Sequence, residues 1–99
     1  MVEYRPPRTL YPFQSRWLDR GTGQLHYLDE GGGSSAPLLF LHGNPTWSFL
    51  YREVLRSQRS SRRCIAPDFP GFGLSDLPTT GPPGPRFHSR AMVDLVNAL

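Results

Sequence analysis

The chain contains no lysine. Eleven arginines face eight acidic residues, for a net charge of +3. The triple glycine Gly31-Gly32-Gly33 could suggest a phosphate loop, but such a loop needs a lysine, so the run reads as a flexible connector. Cysteine is nearly as scarce. Cys64 is the single one, which excludes an internal disulfide and any C-x-x-C site. Its place in an apolar strand pattern predicts a buried structural thiol. No apolar run approaches the roughly 18–20 residues that span a bilayer. The N-terminus carries Glu3, Arg5 and two prolines instead of the apolar core of a secretory signal. A cytoplasmic setting is expected, with no membrane partner. His, Cys and carboxylates never fall at metal-site spacing, so no metal is expected, and no cofactor is implied.

Ninety-nine residues make one domain at most. Ten glycines and eleven prolines leave much of the chain to turns. Residues 1–14 read as an extended arm packed through Tyr11 and Phe13, and 77–86 as a Pro/Gly-rich loop. Arg52, Arg56 and Arg59 recur every three or four residues. They read as the solvated face of a helix, with no nucleic-acid partner.

Ser15 to Asp19 and Gln24 to Asp29 flank the turn sequence Arg20-Gly21-Thr22-Gly23, which predicts a hairpin. Leu38-Leu39-Phe40-Leu41 is continuously apolar, as in a parallel strand covered on both faces. Trp47, Leu50, Tyr51, Val54 and Leu55 then form a helical stripe, with Pro45 and Thr46 suited to its start. Arg62 to Ala66 is a further strand, ended by Pro67-Asp68. Phe87 to Leu99 is a second helix, with Phe87, Ala91, Met92, Leu95, Val96 and Leu99 on one side. Strand–helix–strand from Leu38 to Ala66 is a βαβ crossover, so those two strands are expected to be parallel. The fold class is α/β.

Ligands in such sheets sit beyond the carboxyl ends of the strands. Two loops reach that edge, His42 to Thr46 and Asp68 to Asp76. The turn after Gly43 can aim a backbone N–H at developing negative charge. The Asn44 side-chain amide can donate to an anion, or alternatively cap the helix. Asp68 at a strand end, His42 at the mouth of that edge, His26 and His88 are the other groups to weigh, and His26 and His88 read as packing or surface residues. No G-x-S-x-G nucleophile turn occurs.

His42-Gly43-Asn44-Pro45-Thr46-Trp47-Ser48-Phe49-Leu50-Tyr51-Arg52 resembles the HGNP segment of the haloalkane dehalogenases in the α/β-hydrolase superfamily. Pro67-Asp68-Phe69-Pro70-Gly71-Phe72-Gly73 is similar to a second signature of that superfamily. Leu25-His26-Tyr27-Leu28-Asp29-Glu30 and the helix from His88 fit in register. The resemblance covers roughly Tyr11 to Leu99. It implies the N-terminal portion of an α/β-hydrolase sheet: a hairpin, a βαβ unit and the following helix.

The reaction it implies is hydrolytic cleavage of a carbon–halogen bond in a small apolar substrate. An Asp nucleophile and a His-activated water carry that reaction. By the same resemblance Asn44 binds halide and its backbone amide joins the oxyanion hole. His42, Gly43, Pro45, Asp68, Gly71 and Gly73 are motif scaffold. The nucleophile and the catalytic His are expected beyond Leu99, so these residues form a partial, catalytically incomplete site. The resemblance also implies that the Leu38–Leu41 strand has an open edge, through which the chain could associate. Two alternatives remain: a fragment of an epoxide hydrolase or esterase of the same superfamily, and a non-enzymatic relic or binding fragment.

Overall fold

A computed structural model describes residues 5–33, 35–43, 46–79 and 84–99. Strands β1 (Arg16–Asp19) and β2 (Gln24–Glu30) form the expected hairpin, with Trp17 opposite His26. Strand β3 (Leu38–Leu39) runs parallel to β4 (Cys64–Pro67), as the crossover pattern requires. β4 also pairs antiparallel with β2, giving the order β1-β2-β4-β3. All four β4 residues are buried, which makes it the central strand.

Successive strand residues point to opposite faces, and each face packs on its own helix. Leu28, Cys64 and Ala66 lie on one side with Leu55 of helix α1 (Arg52–Gln58), and Tyr11 and Phe13 of the N-terminal arm join them. Leu25 and Ile65 lie on the other with Ala91 and Leu95 of helix α2 (Pro85–Ala98). The result is a sheet between two helical layers. Cys64 is a fully buried thiol, as expected, and burial pushes its pKa up.

Several local expectations need correction. The Leu38–Leu41 strand is not covered on both faces. Leu38 and Phe40 pack towards α1, whereas Leu39 and Leu41 are each 44% exposed. The ladder is also only two residues long, pairing Leu38 with Cys64 and Leu39 with Ile65.

The first helix does not begin as an α-helix. Ser48–Tyr51 is a 3₁₀ turn that leads into α1 at Arg52. Its three residues per turn rotate the stripe. Ser48 is therefore buried, Leu50 is 55% exposed, and Tyr51 donates to the Leu41 carbonyl at 2.6 Å. The second helix starts earlier than expected. Pro85 is its first residue, where a missing N–H costs nothing. Only part of the 77–86 loop is therefore irregular, and residues 80–83 of it lie outside the described set.

The arginine run is not simply a solvated face. Arg59 binds Glu30 at 3.0 Å and the Pro12 carbonyl at 3.2 Å, tying α1 to β2 and the arm. Arg52 lies 4.2 Å over the Phe49 ring. Arg63 holds Asp29 through two bonds of 2.8 and 2.7 Å, and this pairing lowers the Asp29 pKa. No helix among the described residues is long and apolar enough to cross a membrane.

Candidate active site

The two predicted loops meet at the carboxyl end of β4. The bridge is His42, which is buried beside the Gly43 turn. The Phe69 N–H donates to His42 Nε2 at 2.9 Å. That nitrogen is therefore an acceptor, and Nδ1 carries the proton it gives to the Gly43 carbonyl, also at 2.9 Å. Thr46 adds two more donors to the same carbonyl, its N–H at 2.9 Å and its hydroxyl at 2.6 Å. Three donors fix the Gly43 carbonyl and with it the entry to the turn. Asn44 and Pro45 lie outside the described residues.

Beside this turn is an open cleft of about 550 Å³. Its walls include Gly43, Phe69, Phe72, Leu77 and His88. The rings interlock: His42 lies 4.8 Å from Phe69 and 5.6 Å from Phe72, and His88 lies 5.1 Å from Phe69. The cleft is thus apolar and aromatic with one polar end, the composition that suits a small apolar ligand. Burial lowers the His88 pKa, and the nearby His42 adds to the effect. His88 Nδ1 is buried without a hydrogen-bond partner.

Asp68 does not face this cleft. It is fully buried and serves as a hub. Its Oδ1 accepts the Ser48 N–H at 2.6 Å, and its Oδ2 accepts His26 Nδ1 at 2.9 Å and the Leu74 N–H at 3.1 Å. One carboxylate thereby joins β2, the 3₁₀ turn and the 68–76 loop. Gly73 makes room for it. Its φ is +53°, and an added Cβ would sit 2.5 Å from Asp68 Oδ2. Gly71 also needs the left-handed region, at φ +84°. These geometries give Asp68, Gly71 and Gly73 positions in which they shape the loop.

Sequence reasoning missed His26, which is a buried partner of Asp68 and neither a surface nor a simple packing residue. Its parity could have revealed it, because His26 shares a strand face with Leu28, a core residue. Ser75 was also missed. Its hydroxyl donates to the Asp68 carbonyl at 2.7 Å and accepts the His26 N–H at 2.8 Å. Tyr11 closes the network on Ser48 Oγ at 2.5 Å, and burial raises its pKa far above the usual phenol value. Among the described residues, no group of three His, Cys, Asp or Glu could hold a metal ion.

Residues 38–99 match the family model described as the alpha/beta hydrolase family. Haloalkane dehalogenase 2 of Mycobacterium tuberculosis is 53% identical over 78 residues, which are 79% of this chain and 27% of that protein. The cis-3-alkyl-4-alkyloxetan-2-one decarboxylase of Shewanella oneidensis is 46% identical over 70 residues, covering 71% of this chain and 21% of its own length. The tetrameric haloalkane dehalogenase DpaA of Paraglaciecola agarilytica superposes with a TM-score of 0.80 at 30% identity, covering 99% of this chain and 37% of that one. The chain thus spans about a quarter of the length of the curated relatives it matches. With the family matched from β3 to the end of α2, the chain belongs to the alpha/beta hydrolase family and is similar within it to the haloalkane dehalogenases.

Proposed function

We propose that this chain supplies the anion-stabilising side of a hydrolytic dehalogenase site. The observation that carries the reading is the fixed Gly43 turn beside an apolar aromatic cleft, on a chain 53% identical to a haloalkane dehalogenase over 78 residues. Asn44 follows that turn and is the candidate halide donor, with its backbone amide in the oxyanion hole. His42, Gly43, Asp68, Gly71 and Gly73 hold the two loops, and Pro45 completes the motif in the sequence. The substrate is a small halogenated alkane. The carboxylate that would displace halide is not among these 99 residues, so the segment alone is catalytically incomplete.

The test is halide release from a short bromoalkane by the 99-residue chain and by a longer polypeptide carrying it. The expected result is none from the segment and turnover from the longer chain. Asn44→Ala should lower that turnover by about 10²–10³-fold, the usual loss for one such donor. Halide release by the segment itself, or an Asn44→Ala chain at full rate, would overturn the reading.

A second reading is favoured by the 46% likeness to the oxetanone decarboxylase. A dialkyl oxetan-2-one in the same assay separates the two. Its consumption without any halide release would assign the segment to that chemistry.

A further inference from the structure

A second arrangement stands apart from the cleft, where the N-terminal arm enters β1. Ser15 stands one residue before β1, and its Oγ is 2.8 Å from His26 Nε2. The opposite ring nitrogen, Nδ1, meets Asp68 Oδ2 at 2.9 Å. A carboxylate can only accept here, so Nδ1 carries the ring proton and Nε2 is left to accept the Ser15 hydroxyl. The Ser48 and Leu74 N–H groups steady the carboxylate in turn. Hydroxyl, imidazole and carboxylate thus stand in line, each on the nitrogen that serine activation requires.

Ser15 also opens onto space. A cavity of about 380 Å³ is lined by Ser15 with Tyr11, Phe13, Trp17 and Leu74, and by the cationic Arg8. It shares no lining residue with the cleft beside Gly43. Trp17 stacks edge-on against the His26 ring at 5.1 Å. The ring itself is fully buried, so the cavity reaches the relay through the Ser15 hydroxyl.

We propose that Ser15 is a reactive serine that accepts an acyl group from activated esters, with Arg8 lending positive charge to the rim. As Oγ bonds to the acyl carbon, its proton passes to His26 Nε2. The ester C–O bond then breaks, and the departing phenolate takes its electron pair and that proton to leave as phenol. The product is an O-acyl Ser15. Water has no path to the buried Nε2 once the acyl group covers Oγ, so one equivalent is retained and turnover is absent. The inference does not depend on the dehalogenase reading, because it uses neither Asn44 nor the cleft beside it.

The experiment treats the 99-residue chain with p-nitrophenyl acetate and follows nitrophenol release and peptide mass. Cleavage at arginine isolates Thr9–Arg16, in which fragmentation places the acetyl group. The expected result is a burst of one equivalent, acetyl on Ser15, and its loss in Ser15→Ala. His26→Gln should slow the labelling by about 10²–10⁴-fold, the usual contribution of a positioned base. Should His26→Gln not fold, the thiol of Ser15→Cys decides. Paired with imidazole, it should react with iodoacetamide below neutral pH faster than a free cysteine does. Acetyl spread evenly over exposed serines such as Ser57, a burst that survives Ser15→Ala, or a Ser15→Cys thiol no faster than free cysteine would overturn the proposal.

Discussion

Strand β4 has two neighbours, and they are not alike. On the β2 side, four residue pairs form the ladder and a polar network continues past its end, through Asp68, Ser75 and His26. On the β3 side, two pairs form the ladder. Beyond it, Leu39, Val96 and Leu99 line an apolar groove of about 360 Å³ against α2. β2 mixes its leucines with Gln24, His26, Asp29 and Glu30, whereas β3 is Leu-Leu alone. What differs is that polar pairing adds to the apolar contact on the β2 side. A satisfied polar network fixes one arrangement, whereas apolar contact alone tolerates several. The β2 side holds the polar network, and the β3 side leaves Leu39 and Leu41 each 44% exposed.

The comparison breaks most sharply at Asp68. Asp68→Ala strands His26 and two backbone N–H groups in the interior and should cost about 3–5 kcal/mol, read from the midpoint of urea unfolding. A loss under about 1 kcal/mol would mean the network is incidental. Gly73→Ala tests the same hub from outside. The positive φ and the contact with the Asp68 carboxylate should cost about 1–3 kcal/mol.

pH response comes next. The His88 pKa is lowered, so between its folded value and about 6.5 the unfolded chain binds a proton that the folded chain refuses. Stability is therefore complete above about 6.5 and falls as the pH drops through that window. His88→Leu should flatten this slope in thermal melts taken across it. An unchanged slope would remove His88 as its source.

Arg63→Ala should have a smaller effect, about 0.5–1 kcal/mol, since the pair is partly solvated. Asp29 has a lowered pKa, so its contribution is present above the ordinary carboxylate range and is lost as pH falls through the folded value. The gap between Arg63→Ala and the parent should close in acid. Leu39→Lys should be smallest, within about 0.5 kcal/mol for an exposed site. Its visible effect is on self-association by light scattering, which a charge on an open strand edge should reduce. A large destabilisation would show that the β3 edge is core after all.

The sheet was largely legible because alternation and helical spacing are local signals. The Gly21–Gly23 turn, the parallel β3–β4 pair and the two helices follow from them. Leu50 was misread because a stripe at α spacing cannot reveal that the Asp68 carboxylate holds the Ser48 N–H and that the turn there is 3₁₀. His42 and Asp68 were expected as scaffold through the family resemblance of their motifs. Ser48 and Ser75 were not legible, and His26 only through its strand parity, because nothing else local marks a polar group whose partner lies 20 to 49 residues away. Long-range polar pairing leaves no periodic trace in a sequence.

The Asp68 carboxylate takes its donors from positions 42, 20 and 6 residues distant along the chain. Such a group cannot be satisfied in instalments. With β2 or the 3₁₀ turn absent, it would be a desolvated charge short of a partner, and that state is penalised more than the fully solvated one. The network is therefore complete only when all three segments are in place. Asp68 works as a checkpoint on assembly: the loop beside the cleft acquires its shape only in chains whose sheet is already complete through β2.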